Sequence, residues 1–245
     1  MLHSTNLIVL FILLIGLILN YMKFDFSNKN DYSKLNNIMI NILTRSGNRE
    51  TCFNNLNKSI KSQTYKKIQH YISNDNPECK YLKGFKNVVN LNKQRKYFSG
   101  HCPYNSYLNK LIKKVNNGWI IILDDDSKII DPTFINRLSY EIEKAGKYKA
   151  IVFDIFISPF KTILPNKNHI SNFNCSMIMH EHIDMACIAF HHSVKIDFGD
   201  SCGGDFIFFS KLLEKNLVKY VKMKPGIWAN YHGSRQGNKL ICNAD

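Results

Sequence analysis

Apolar residues in this chain fall into two kinds of stretch. Short unbroken apolar runs bounded by turn residues alternate with longer stretches in which apolar positions recur three and four apart. The first kind suits strands buried on both faces and the second suits helices packed by one face. Residues 38–43 form the first run, closed by the turn-rich Thr44-Arg45-Ser46-Gly47-Asn48-Arg49. A helix is expected next, with Cys52, Phe53, Leu56 and Ile60 on its inner face, Asn48 as its N-cap and Glu50 in its first turn. Residues 68–72 form a second run, stopped by Ser73-Asn74-Asp75-Asn76-Pro77. Strand, helix and strand in that order make a βαβ unit, and hence parallel strands.

The alternation continues. Residues 85–91 predict a short strand, 93–103 a basic loop, and 104–115 a helix with Tyr104, Leu108, Leu111, Ile112 and Val115 inward. Ile120 to Leu123 then run without a polar break from Gly118 into Asp124, Asp125 and Asp126, the pattern of a central strand. Asp131-Pro132 predicts a capped helix start with Phe134, Ile135, Leu138 and Ile142 buried. Residues 149–157 predict a strand, and 172–192 two strands or a strand and a bend. A Gly-rich loop at 199–205, a helix at 206–215 and a last strand at 217–223 complete the body, before a tail with Trp228, Tyr231 and His232. The whole predicts an α/β domain, a mixed and mostly parallel sheet flanked by helices. No internal repeat is visible.

One stretch lies outside this scheme. Residues 7–19 are thirteen positions without a charge, and with Asn20, Tyr21 and Met22 they approach the length that crosses a thin bilayer. No small-x-small cleavage site follows, which favours an uncleaved anchor over a signal peptide. The expected organisation is an N-terminal membrane anchor at 1–22, a polar stem at 23–36, and a domain at 37–245. Orientation signals conflict. Lys23, Lys29 and Lys34 after the run favour a cytoplasmic domain. The sequons at Asn57 and Asn174 favour the lumen of an endoplasmic reticulum or Golgi-type membrane, although chance supplies such sequons in so Asn-rich a chain. The lumenal arrangement is the expectation.

Composition changes the picture little. The formal charge is +14, but the lysines are scattered among asparagines with no block of like charge, so no nucleic-acid arm is expected. The seven cysteines form no C-x-x-C pair, which argues against a zinc ribbon or a thioredoxin motif. Cys52 and Cys187 sit in apolar patterns and read as core residues. His180, His182, His191 and His192 lack a complete metal-ligand set and read as surface or hydrogen-bonded side chains.

The acidic triplet carries the chemistry. Three adjacent carboxylates repel unless solvated or bound to a cation, and oxygen-only ligation suits Mg²⁺ or Mn²⁺. The carboxyl end of a central strand is also where open α/β sheets bind ligands. A solvated acidic turn is the plain alternative, and the triplet alone does not choose.

Other segments do. Residues 40–76, with the phrase Ser59-Ile60-Lys61-Ser62-Gln63-Thr64-Tyr65, resemble the nucleotide-binding opening of family 2-like glycosyltransferases of the GT-A fold. The triplet is similar to that family's Asp-x-Asp motif. Gly203-Gly204-Asp205-Phe206 resembles its acceptor-side acidic motif, and Tyr231-His232-Gly233-Ser234 its C-terminal metal-ligand histidine.

The resemblance, which runs from about residue 37 to 232, implies a Rossmann-like GT-A fold and transfer of a sugar from a nucleotide-diphosphate donor, with UDP commonest. The acceptor would be a hydroxyl on a glycan or protein. It also implies roles. Thr44 and Arg45 line the nucleotide pocket, Asp75 accepts from the base, and Asp124 lies near the ribose and the metal. Asp126 and His232 hold Mn²⁺ or Mg²⁺, Asp125 belongs to the nucleotide-binding set, and Asp205 is the base of an inverting displacement, with Asp200 its rival. The family's processive Gln/Arg-x-x-Arg-Trp motif is missing, which argues against a polysaccharide synthase. Two other readings are a sugar-phosphate nucleotidyltransferase, for which 46–49 is too short a phosphate loop, and a non-catalytic basic module attached to a membrane.

Overall fold

A computed structural model of the chain describes residues 37–76, 79–90, 103–158, 162–165, 183–199 and 203–230. The chain divides into Met1–Lys34 and Leu35–Asp245, and the fold described is that of the second unit. The expected anchor, the basic loop, His180, His182, Asp200 and His232 lie outside the described residues. Among the described residues, no helix is long and apolar enough to cross a membrane.

The opening βαβ unit forms as its pattern requires. Strands β1 (Ile40–Ser46) and β2 (Ile68–Asn74) are parallel, joined by helix α1 (Glu50–Lys61). The face of α1 carrying Cys52, Phe53, Leu56 and Ile60 is buried. Its start differs from expectation. Asn48 has φ 63°, the left-handed region, so Arg49 takes the N-cap position without a side-chain bond. Asn48 Oδ1 instead accepts from Asn76 Nδ2 at 2.6 Å, tying the loops after β1 and β2 together. Cys52 is disulfide-bonded, which corrects its reading as a plain core residue. The sequon at Asn57 falls in mid-helix, with the Ser59 hydroxyl buried and donating to the Leu56 carbonyl, so it is no surface loop.

Strand β3 (Val88–Asn90) extends the parallel set beyond β2. Helix α2 (Pro103–Ile112) leads to strand β4 (Trp119–Ile122), which pairs with β1 in parallel. Ile120 to Leu123 are each at most 3% exposed. Burying each such side chain contributes about 1.5–3 kcal/mol, so this run anchors the sheet. Gly118 precedes it at φ 81°, where a Cβ would collide with the Met39 carbonyl.

Among the described residues the main sheet has seven strands in the order β10-β6-β9-β4-β1-β2-β3. The later members are β6 (Ala150–Phe153), β9 (Ile188–His191) and β10 (Val218–Val221). β9 is antiparallel to both β4 and β6, so the sheet is mixed as expected. His191 and His192 are held by hydrogen bonds to Ser193 Oγ and the Gly118 carbonyl.

The strand expected over 149–157 is broken in two. Asp154, 2% exposed, accepts a 2.8 Å bond from the Tyr220 hydroxyl. Beyond it the chain enters a second sheet as β7 (Ile155–Ser158). That sheet has the order β5-β11-β7-β8, with β5 (Lys128–Ile129), β8 (Thr162–Leu164) and β11 (Ile227–Asn230). Helix α3 (Phe134–Glu143) begins later than the Asp131-Pro132 signal. Asp131 Oδ1 accepts from the Thr133 backbone and hydroxyl, both at 2.8 Å, so it caps the turn before the helix. The inner face of α3 is the expected one, with Ser139 added. Helix α4 (Gly204–Glu214) closes the acidic loop.

Candidate active site

Because β1, β2 and β4 are parallel, their carboxyl ends share one edge of the sheet. The register aligns Leu43 with Ile122, and the Leu123 amide donates to the Leu43 carbonyl at 3.0 Å. Continuing that alignment brings Arg45 level with Asp124 and Ser46 with Asp125. Arg45 grips Asp124 as a fork: Nε and Nη2 donate to Oδ1 at 2.9 and 2.7 Å, and Nη2 to Oδ2 at 2.6 Å. The Asp124 side chain stays 39% exposed. Burial pushes its carboxyl up, but the Arg45 charge and hydrogen bonds prevail and hold it below the usual carboxylate range.

The next two carboxylates diverge. Asp125 is fully buried, receives a 2.8 Å bond from Ser46 Oγ, and forms an ion pair with Arg49. Ser46 Oγ also meets the Tyr81 hydroxyl at 2.9 Å. Asp126 stays 11% exposed and pairs with Arg49 Nη1 at 3.0 Å. Burial drives Asp125 up to about 7, and burial with the Asp124 charge drives Asp126 up to about 6. Two arginines therefore leave the triplet short of positive charge.

The third contribution comes from β2. Asp75 is 6% exposed and accepts from the Ser73 hydroxyl. Its amide donates to the Ser46 carbonyl at 2.8 Å, and burial lifts its carboxyl to about 6. Arg45 feels the charges of Asp124, Asp205 and Asp75 together; although burial opposes its charge, they raise its pKa above the ordinary value.

Asp205 enters from the other half of the domain, in the first turn of α4. Gly203 precedes the helix at φ 83°, and a Cβ on Gly204 would lie 2.5 Å from Asn105 Nδ2. Helix α2 braces the segment ahead of that loop: Asn105 Nδ2 donates to the Gly199 carbonyl at 2.5 Å and Asn109 Nδ2 to the Phe198 carbonyl at 2.9 Å. The 3₁₀ turn Met185–Cys187 supplies the opposite wall. Its Met185 amide donates to Asp205, and Asp184 caps the turn by accepting from the Ala186 amide at 2.7 Å. Burial and the neighbouring Asp184 charge push Asp205 up to about 7.

Arg45 thus contacts Asp124 and lies within the electrostatic reach of Asp75 and Asp205, and Asp125 and Asp126 meet at Arg49. Thr44 differs. It is fully buried, and its hydroxyl is 2.9 Å from His70 Nε2, on the side where His70 stacks with Phe53 of α1. Arg49, Asp184, Ser46 and Tyr81 were not expected in the site. Arg49 had one signal, its place in the loop between the first strand and the first helix. Asp184 had none, because its position depends on a turn packed against α4.

Among the described residues, no three His, Cys, Asp or Glu side chains converge as a complete metal-ligand set. The donor chemistry of Asp124 and Asp126 nevertheless fits a divalent cation. Each is a carboxylate with lone pairs beyond those its arginine uses, and burial with the Asp124 charge raises Asp126, a shift that a cation would offset.

No protein-family model and no curated protein matches this chain by sequence. Solved structures do match by fold. TarS 1–349 of S. aureus in complex with UDP-GlcNAc aligns with a TM-score of 0.60 at 12% identity, over 82% of this chain and 60% of that one. A longer TarS structure gives 0.59 at 13% identity, over 79% of this chain and 37% of that one. The mannosyltransferase PcManGT of Pyrobaculum calidifontis, in complex with GDP-Man and Mn²⁺, gives 0.55 at 10% identity, over 82% and 58%. This chain therefore has a GT-A-like glycosyltransferase fold and corresponds to less than two thirds of the length of each of these proteins.

Proposed function

We propose that this chain is a glycosyltransferase that moves a sugar from a nucleotide-diphosphate donor to an acceptor hydroxyl. One observation carries the reading: Arg45 grips Asp124 at the carboxyl edge of the parallel strands, and the charges of Asp75, from the end of β2, and Asp205, from α4, also act on that arginine. The structural relatives bound to UDP-GlcNAc, or to GDP-Man with Mn²⁺, support it.

The division of labour follows from the chemistry. Asp126 and Asp124 would hold Mn²⁺ or Mg²⁺, with His232 as a further ligand. A bound divalent cation supplies charge stabilisation for a departing diphosphate. Asp75, on the neighbouring strand end, accepts from the base. Arg45 orients Asp124 and adds a fixed positive charge beside the leaving group. Asp205 takes the proton from the acceptor hydroxyl as that oxygen bonds to the anomeric carbon. The bond from that carbon to the diphosphate breaks on the opposite side, which inverts the centre. Such a base contributes about 10²–10⁴-fold. Asp125 faces inward and serves the site by fixing Arg49.

The N-terminal apolar run would attach the enzyme to a membrane. The Cys52 disulfide favours an oxidising compartment and hence a lumenal domain. The test is a screen of nucleotide sugars with and without Mn²⁺ on the full chain. Mn²⁺-dependent hydrolysis of one donor, lost in Asp126→Asn, is expected. Binding of no nucleotide sugar under any metal condition would refute the reading.

A further inference from the structure

A second concavity lies away from the carboxylates. It occupies about 670 Å³ between the end of α1, the first residues of β2 and the turn at residues 81–86. Ile68 and His70 line it, both in the opening half of β2, whereas the candidate active site lies at the far end of that strand beside Asp75. Seven residues of extended chain separate Ile68 from Asp75, roughly 23 Å. The two sites are thus at opposite edges of the sheet.

Its lining is one-signed. Lys61, Lys66, Lys83 and Lys86 all contribute, and no Asp or Glu does. The four lysines come from three separate pieces of chain. Lys61 ends α1, Lys66 lies in the link to β2, and Lys83 and Lys86 belong to the turn beyond it. Lys66 Nζ donates to the Gln63 carbonyl at 3.3 Å, and no ion pair joins any of the four to a carboxylate among the described residues. The carbonyl ends of α1 add negative potential beneath Lys61, which holds that ammonium in place without neutralising it. His70 is uncharged here: burial and then the Lys61 charge push its ring down to about 4. Its nitrogen is occupied by Thr44 Oγ1.

We propose that this concavity binds a phosphate-bearing anion, at a site separate from that of the donor nucleotide. Four exposed lysines around one concavity, with no Asp or Glu in its lining, gain most from a ligand carrying two or more negative charges and several acceptor oxygens. Two sources share that chemistry: a soluble phosphate ester and the headgroup of an anionic phospholipid. The register pairs Ile40 with Ile68, so the concavity sits at the sheet edge where β1 and β2 begin. The proposal does not depend on the chemistry assigned to the carboxylates.

Amine-acylation footprinting of the full chain tests it. The rates at Lys61, Lys66, Lys83 and Lys86 are read by mass spectrometry against Lys147 and Lys215. One arm adds inorganic pyrophosphate in neutral detergent, with ionic strength matched by sodium chloride. The other compares nanodiscs of phosphatidylcholine with nanodiscs containing phosphatidylglycerol. Selective slowing of the four lysines by at least three-fold is expected in at least one arm. Slowing by pyrophosphate identifies a soluble ester, and slowing by phosphatidylglycerol alone identifies a headgroup. In K61Q/K83Q, the slowing at Lys66 and Lys86 should vanish, because the remaining pair no longer makes a site. Equal acylation in both arms, or undiminished slowing in the double variant, overturns the proposal. Failure of donor binding at the carboxylates would leave these rates untouched.

Discussion

Two acidic centres act on Arg45, and Asp124 in one and Asp205 in the other are held on opposite plans. The triplet at the end of β4 meets arginines directly: Arg45 grips Asp124, and Arg49 bridges Asp125 and Asp126. Asp205, in the second centre, has a backbone amide and another carboxylate, Asp184, as close company. Arginine contact keeps Asp124 ionised at any ordinary pH. Burial beside a like charge leaves Asp205 near 7, where it can hold or release a proton. The same side chain is a fixed charge at Asp124 and titrates near neutrality at Asp205.

The largest expected effect breaks the first centre. Asp126→Asn removes the proposed cation ligand while keeping shape and the bond to Arg49. Mn²⁺-dependent turnover should fall by at least about 10³-fold, since the cation carries several kcal/mol of charge stabilisation. Thermal unfolding without metal should be nearly unchanged. With Mn²⁺ and nucleotide at about 100 times Kd, wild type should gain about 2.7 kcal/mol and the variant much less. Equal gains in both proteins would remove Asp126 from the metal site.

Asp205→Asn breaks the second centre. Transfer to the acceptor should fall by about 10²–10⁴-fold, with donor affinity within a few-fold of wild type. Calorimetric titration with donor separates the two quantities. Loss of donor binding would move Asp205 to the nucleotide side and return Asp200 to consideration as base.

The acidity of the second centre gives a third test. A base must be deprotonated, so kcat/KM should rise about ten-fold per pH unit below 7 and level off above it. The Asp184 charge raises Asp205. Its removal in Asp184→Asn lowers that pKa, and the profile should shift toward acid. A profile that stays in place would show that Asp184 only caps its turn.

The two centres also differ in how far they were legible. β1, α1, β2 and β4 follow local rules: unbroken apolar runs bounded by turns, and a helix with its apolar face at regular spacing. Their parallel pairing then places the triplet at a strand end almost automatically. The other centre depends on contacts distant in sequence. Nothing local marks Asp154 as the point where one strand becomes two, because its partner is the hydroxyl of Tyr220. Likewise Asp205 is placed by Asn105 and Asn109, far upstream, holding the segment ahead of its loop. The cap expectations at Asn48 and Asp131 failed for a related reason. The Asn48 side chain is committed to the loop after β2, and Asp131 caps the turn that leads into α3 rather than the helix itself.

The smallest expected effect on activity separates neighbours within the triplet. Asp125 and Asp126 share Arg49, yet Asp125 is wholly enclosed while Asp126 keeps a solvent-facing edge. Asp125→Asn weakens the ion pair and leaves the amide to satisfy Ser46 Oγ and Arg49 with one fewer acceptor oxygen. A buried group left imperfectly paired costs about 1–3 kcal/mol, so denaturant unfolding should show a loss of that size. Turnover, measured well below the new midpoint, should stay within about ten-fold of wild type, because Arg49 still pairs with Asp126. The neighbours would then give inverse results: stability lost with activity kept at Asp125, and activity lost with stability kept at Asp126. If Asp125→Asn silences the enzyme as fully as Asp126→Asn, the middle carboxylate itself reaches the donor, and its enclosure in the folded chain must open when the nucleotide binds.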